Sequence, residues 1–306
     1  MKKKIAIIFL LMLTLCGCTK RFNTEVDVDG KKVEKSYVSN IICRPESEEL
    51  KEIYSTNKDN LIVDYDKLPA CKNLKINSGG YEGLWTSIFV KPLAWVIIQI
   101  GNIVKNYGLS LVIVSLIIRL IAFPVTRKTA MQSEMLKNAK PELDKLEKKY
   151  KDKTDQESLM KKNQEMMLIY KKYNVNPVSG CLFSFIQLPL FIGFLEAINR
   201  VPAIFEEHFI GFQLGTTPII ALQHGNFLYL LLTVIVGLTT YYSFKNNTAA
   251  MGDNKQAATM NRTMVIMITV MSLFMTSALN IYWITTNLFT VVQNLLVKRG
   301  KKHEKK

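Results

Sequence analysis

"VIVSLIIRLIAFPVT", Val112 to Thr126, decides the fold. The run is apolar enough to cross a bilayer as a helix. Yet Arg119 stands inside it, with about two helical turns of apolar residues on each side. An arginine at the centre of a membrane helix costs roughly 2.5–3.5 kcal/mol on insertion scales. Snorkelling to a headgroup is difficult from mid-helix, so the guanidinium is either hydrated or waiting for an acid from elsewhere. The apolar runs supply no acid at similar depth, and Glu196, near the outer end of its run, reads as an interfacial residue.

Working outward, the apolar residues of this 306-residue chain collect into long runs, and its formal charge of +15 is concentrated between them. Five runs read as spans: 108–126, 179–198, 226–244, 263–279 and 281–297, the last two forming a tight hairpin. Ahead of them, "LWTSIFVKPLAWVIIQIGNIVKNYG" is interrupted at Lys91-Pro92, which leaves only Leu93–Val104 as its apolar part. That is short for a span, and Trp85 and Trp95 suit headgroup level, so 81–107 reads as an amphipathic helix on the outer surface. Counting cations tests this. The segments 127–172 and 245–262 and the tail 298–306 are basic, whereas 199–225 is acidic beyond Arg200. Five spans starting outside put every basic segment in the cytoplasm, and counting Leu93–Val104 as a sixth inverts the pattern. The basic charge then faces anionic lipid, and no DNA partner is implied. The expected fold is an all-α polytopic membrane protein.

The flanking regions carry their own signals. "MKKKIAIIFLLMLTLCGCTK" opens with lysines, continues apolar and ends in small residues, as a signal peptide over 1–17 does. "LCGC" resembles a bacterial lipobox, which would lipidate Cys18; an ordinary signal peptide or an uncleaved anchor remain alternatives. The extracytoplasmic region 18–80 is polar, with β-prone pieces such as "RFNTEVDVDG" and "NLIVDYDKL". A disulfide between Cys43 and Cys71 is allowed in that compartment, and the sequence leaves the pairing open. In 127–173, Met131, Met135, Ala139, Leu143, Leu146 and Tyr150 form one helical stripe, and Leu159, Asn163, Met166 and Tyr170 a second. Two amphipathic helices joined by a short turn make a cytoplasmic hairpin, with Pro141 kinking the first or starting a new turn of it.

Signals for an enzyme are scarce. The three histidines have no partners at metal-ligand spacing, and no nucleotide loop, nucleophile elbow or dinucleotide fingerprint occurs. No cofactor is expected. The intramembrane polar residues remain: Arg119, Gln187, Thr233, Thr269, Thr285, Thr286, Asn287 and Gln293. Threonines in membrane helices ordinarily bond their own backbone or a neighbouring helix.

With these residues in place the sequence resembles the YidC/Oxa family of membrane protein insertases, in the short five-span lipoprotein form of Gram-positive bacteria. The likeness rests on "GLSLVIVSLIIRLIAFPVT", "AKPELDKLEKKY", "YNVNPVSGCLFSFIQLPLFIGF" and "SALNIYWITTNLFTVVQ", and runs from about Trp85 to Val297. It implies five transmembrane helices around a hydrophilic groove that opens to the cytoplasm and to lipid. By position Arg119 would be the groove's charge, Gln187 a polar wall residue and Trp283 an aromatic near the outer closure. The resemblance also implies nascent membrane proteins as clients, the ribosome as a partner of the hairpin and basic tail, and the Sec translocon as a partner. The chain would sit in the bacterial cell membrane, lipid-anchored outside and with its C-terminus in the cytoplasm. Two rivals are a transporter or channel for an anionic solute and an integral-membrane acyl- or glycosyl-transfer enzyme. The first needs polar residues on several helices at the depth of Arg119. The second needs a paired acid or histidine, and His208 and His224 have no evident relay.

Overall fold

The computed structural model describes residues 19–28, 31–176, 179–250 and 255–304. The signal peptide over 1–17, the lipidation at Cys18 and the last two residues of the basic tail lie outside the described residues. In chain order the elements are β1 (Arg21–Val28), β2 (Lys31–Val38), α1 (Glu48–Thr56), α2 (Lys91–Val104), α3 (Tyr107–Lys149), α4 (Gln156–Lys172), α5 (Ser179–Asn199), α6 (Pro202–Glu206), β3 (His208–Phe209), β4 (Phe212–Gln213), α7 (Pro218–Gln223), α8 (Leu230–Ala250), α9 (Lys255–Ser272) and α10 (Ser277–Glu304). They divide into two compact units. One holds Met1–Val114, Leu188–Thr216 and Thr276–Leu279; the other holds Ser115–Gln187, Thr217–Met275 and Asn280–Lys306.

In the first unit the polar region after the signal is a folded mixed element, so all-α describes the apolar helices and not this part. β1 pairs antiparallel with β2, Phe22 opposite Tyr37 and Val26 opposite Val33. Phe22, Val38, Ile41, Tyr54, Tyr65 and Leu68 form a core, and the Tyr54 hydroxyl donates to the Val38 carbonyl at 3.0 Å. α1 begins at Ser47, whose hydroxyl accepts the Leu50 N–H at 3.3 Å and so satisfies a donor the helix leaves open. The second β-prone piece is no strand. It forms 3-10 turns at Lys58–Asn60 and Tyr65–Lys67, its apolar residues feeding the core without a neighbouring strand to pair with. Cys43 and Cys71, both fully buried, are joined as a disulfide.

The helix expected to break at Lys91-Pro92 runs on. Thr86–Val90 makes a π turn, the Lys91 N–H donates to the Thr86 carbonyl, and α2 continues with Pro92 in its first turn, where a missing N–H goes unneeded. α2 ends where Lys105 turns left-handed at φ 58°. A Cβ on Gly101 would fall 2.3 Å from the Tyr107 ring, so the turn from α2 into α3 requires glycine.

α3 starts in the first unit and continues in the second without a break from the first predicted span into the predicted hairpin, 43 residues with Pro124 and Pro141 inside. Each proline forfeits one backbone bond, and the flanking turns hold the helix together. The end of α3 then pairs antiparallel with α4. Lys149 and Tyr150 reach Glu165 at 2.7 and 2.9 Å, and Lys172 and Tyr173 reach Glu142 at 2.5 and 2.8 Å. Ala139, Leu146 and Tyr150 of the first predicted stripe are buried, whereas Leu159 of the second is 48% exposed. Glu165 already stands opposite the last residue of α3, so the start of α4 overhangs it. The break between the last two long helices falls at 273–276, earlier than the predicted junction at Asn280. Asn280 instead sits inside α10 and donates its amide to the Ser272 carbonyl at the end of α9, at 3.0 Å.

Among the described residues three helical stretches are long and apolar enough to cross a membrane: Thr86–Val104, Tyr107–Lys149 and Phe227–Lys245. The first qualifies because the π turn adds its residues to α2.

Candidate functional site

The second unit is turned inside out relative to a water-soluble bundle. Leu120 and Ile121 on α3, Val234 and Leu238 on α8, Ile266 and Val270 on α9, and Val292 and Leu296 on α10 are exposed. Ser115, Arg119, Thr126, Thr240, Asn261, Asn287 and Gln293 are buried. An apolar exterior suits lipid, and a polar interior is tolerated there where its groups bond to one another within the protein.

Arg119 lies in that interior on α3, 6% exposed, with the phenol of Tyr282 on α10 within electrostatic range of its guanidinium. Gln187 on α5 donates its amide to the same phenol oxygen at 3.4 Å. Tyr282 therefore stands beside two of the sequence-predicted residues, and the sequence reading does not include it. Its own signal is a phenol within an apolar span, which when buried calls for a partner. The third predicted residue, Trp283, faces elsewhere. Its indole N–H donates to the Thr240 hydroxyl at 3.2 Å, and the Asn287 amide meets the same hydroxyl at 2.8 Å. Further along, Thr126 donates to the Gln293 carbonyl oxygen at 3.0 Å. The seam between these helices thus carries two polar layers beyond the one at Arg119.

The protein rather than open solvent surrounds the guanidinium, which differs from the hydrated position expected of it. Most threonines keep to the ordinary role: Thr239, Thr269 and Thr285 donate to carbonyls one turn back in their own helices, at 2.7–2.8 Å. Glu196 belongs to the first unit. It is buried, and accepts the Trp85 indole N–H at 3.1 Å. Among the described residues no group of three histidine, cysteine or acidic side chains is arranged to hold a metal ion.

These features define a helical membrane protein with a polar interior that contains an arginine deep in its longest helix, α3. The comparisons place the class more narrowly. The chain is 34% identical over 226 residues to the membrane protein insertase YidC of Oceanobacillus iheyensis, covering 71% of this chain and 85% of that one. It is 36% identical over 216 residues to the membrane protein insertase MisCA of Bacillus subtilis, covering 70% of this chain and 79% of that one. A solved structure described as the active YidC insertase with its first transmembrane domain resolved superposes with a TM-score of 0.51 at 26% identity. That likeness covers 71% of this chain and 48% of the other, so this chain spans about half of it. The family model described as 60Kd inner membrane protein matches residues 99–305. The chain belongs to this family, the YidC/Oxa family. The folded polar region precedes the matched part.

Proposed function

We propose that this chain is a membrane protein insertase and chaperone. It receives hydrophobic segments of nascent membrane proteins from the cytoplasm, draws their acidic outer tails toward Arg119, and releases the segments sideways into lipid. The observation that carries the reading is the buried guanidinium in a polar seam within helices of apolar exterior. The names of the relatives support it.

The physics suits a brief encounter. Two unit charges 4 Å apart attract by about 4 kcal/mol at an effective dielectric of 20, against about 1 kcal/mol in water. That offsets part of the cost of desolvating a tail without holding it. Burial of the client's apolar surface in lipid then drives completion. No bond is made or broken, so the chain works without a nucleophile or metal. Because Arg119 is covered at rest, a client enters by parting α3 from α10 at Tyr282, and Gln187 lines the opened wall. Trp283 stays tied to α8 through Thr240 and holds the far side of α10 in place.

In this reading five spans place the N-terminus outside, lipidated at Cys18, and the C-terminus in the cytoplasm, as the distribution of lysines favours. Thr86–Val104 lies along the outer surface. The α3–α4 hairpin and the basic tail meet the ribosome, and the Sec translocon is a second partner for clients with large outer domains. The test is rescue of an insertase-depleted strain. Expression of this chain should restore insertion of a single-span client with an acidic outer tail. If the chain accumulates in the membrane and the client still fails to insert, the reading is wrong.

A further inference from the structure

The first unit holds a cluster of buried charges that client insertion leaves unexplained. Arg200, the residue after α5, is 1% exposed, and Lys91, at the start of α2, is 2% exposed. Both bind one carboxylate. Arg200 pairs with Glu82 through Nη2, and the Lys91 ammonium stands 3.0 Å from the other Glu82 oxygen. Arg200 Nη1 donates to the Thr86 hydroxyl at 3.4 Å, and the other donors read the backbone of the outer region. Arg200 Nε donates to the Asn40 carbonyl at 2.6 Å, and Lys91 Nζ donates to the Ser78 carbonyl at 2.7 Å and to that of Gly80. In return the Ile42 N–H donates to the Arg200 carbonyl at 3.0 Å. A planar guanidinium with five fixed donors discriminates one arrangement of acceptors from another, and removing one partner of a buried pair leaves an uncompensated charge. The cluster therefore specifies a register and fails as a unit.

Its target is held by a covalent bond. Asn40 and Ile42, the two residues Arg200 engages, lie within three positions of Cys43, which is bonded to Cys71. The adjacent Arg44 N–H donates to the Pro69 carbonyl at 2.8 Å, so the disulfide ties segment 40–44 to segment 69–71. By contrast β1 and β2 are held by their own ladder and aromatic core, and α1, capped by Ser47, docks separately on α6, where Glu206 accepts the N–H groups of Glu46 and Ser47 and the Ser47 hydroxyl. The fold of the outer region and its docking onto Arg200 thus rest on different bonds.

We propose that the outer region is an accessory domain latched onto the ends of α2 and α5 by the Arg200–Glu82–Lys91 cluster, and that the latch closes only when Cys43 and Cys71 are joined. The domain then engages the membrane helices as a consequence of reaching an oxidising compartment, and Arg200 is a positioning residue for it. The inference stands apart from client insertion, and its readout involves no client.

The test is hydrogen–deuterium exchange on the full chain in lipid nanodiscs, comparing wild type with Arg200→Gln, Glu82→Gln and the Cys43→Ala/Cys71→Ala double variant. Each variant should speed exchange of the Ile42 amide and of peptides covering 78–82 by about tenfold or more, while β1, β2 and α1 keep wild-type protection. Arg200→Lys should fall between Arg200→Gln and wild type. Wild-type protection of Ile42 in the double variant, or in Glu82→Gln, overturns the proposal. So does loss of protection throughout the outer region, which would make the cluster a general stabiliser. Should Arg200→Gln fail to accumulate, Glu82→Gln decides, because it keeps both cations and removes only their shared partner.

Discussion

Replacing Arg119 with alanine tests the electrostatic role directly, and the structure bounds the size of the effect. The side chain is 6% exposed and lies within electrostatic range of Tyr282, so little bulk water screens it while the seam is closed. One carboxylate brought to about 4 Å gains about 4 kcal/mol at an effective dielectric of 20, and gives up about 1 kcal/mol it would have in water. The difference of about 3 kcal/mol corresponds to roughly a hundredfold in the capture equilibrium for a tail with one acid. Arg119→Lys keeps the charge but loses the forked donors, so the loss there should stay within about tenfold. The assay is pulse-labelling in an insertase-depleted strain, scoring protease protection of a single-span client whose acidic outer tail is compared with an amide-substituted copy. Arg119→Ala should slow the acidic client and leave the neutral one near wild type. Equal loss of both clients would make Arg119 a structural residue. Wild-type insertion of the acidic client would remove the electrostatic mechanism altogether.

Tyr282→Phe removes the phenol oxygen that accepts the Gln187 amide within electrostatic range of Arg119, an effect of about 1 kcal/mol, so insertion of the same acidic client should fall by less than about tenfold. Gly237→Val should weaken the contact of α8 with α9, because a Cβ there already lies 3.0 Å from the Thr269 hydroxyl; overpacking of about 1–3 kcal/mol would lower the thermal midpoint in detergent. An unchanged midpoint would mean those helices adjust freely. At the hairpin, the hydrogen bond from Lys149, with a second from Tyr150, holds the Glu165 carboxyl below its ordinary range. A lowered folded value means the contact contributes fully above the unfolded value and is lost as pH falls through the folded one. Hydrogen exchange of the α4 amides, corrected for its intrinsic pH dependence, should therefore quicken only below the usual carboxylate range, and Glu165→Gln should abolish that dependence while raising exchange at neutral pH.

Much of the site was legible in the sequence because the bilayer leaves few choices. A charge in the middle of a long apolar run has to be kept for a reason, which singled out Arg119 before any fold was known. The stripe Ala139, Leu146 and Tyr150 was equally plain, since helical periodicity is a local property. The sequence was less informative wherever a partner distant in the chain decided the outcome. Leu159 belongs to the apolar stripe of α4, yet it overhangs because Glu165 meets the end of α3. Lys91-Pro92 reads as an interruption, and a π turn carries the helix through it.

By itself, then, the sequence determined the apolar helices, the arginine set within one of them and the alternation of polar and apolar segments, all of which follow from local composition and period. Only the tertiary structure decided that a tyrosine stands beside Arg119 and Gln187, that Trp283 turns to Thr240 instead, and that Arg200 and Lys91 share Glu82. Hydrogen bonds and ion pairs between residues far apart in the chain depend on how helices pack and rotate. No window of sequence contains that information.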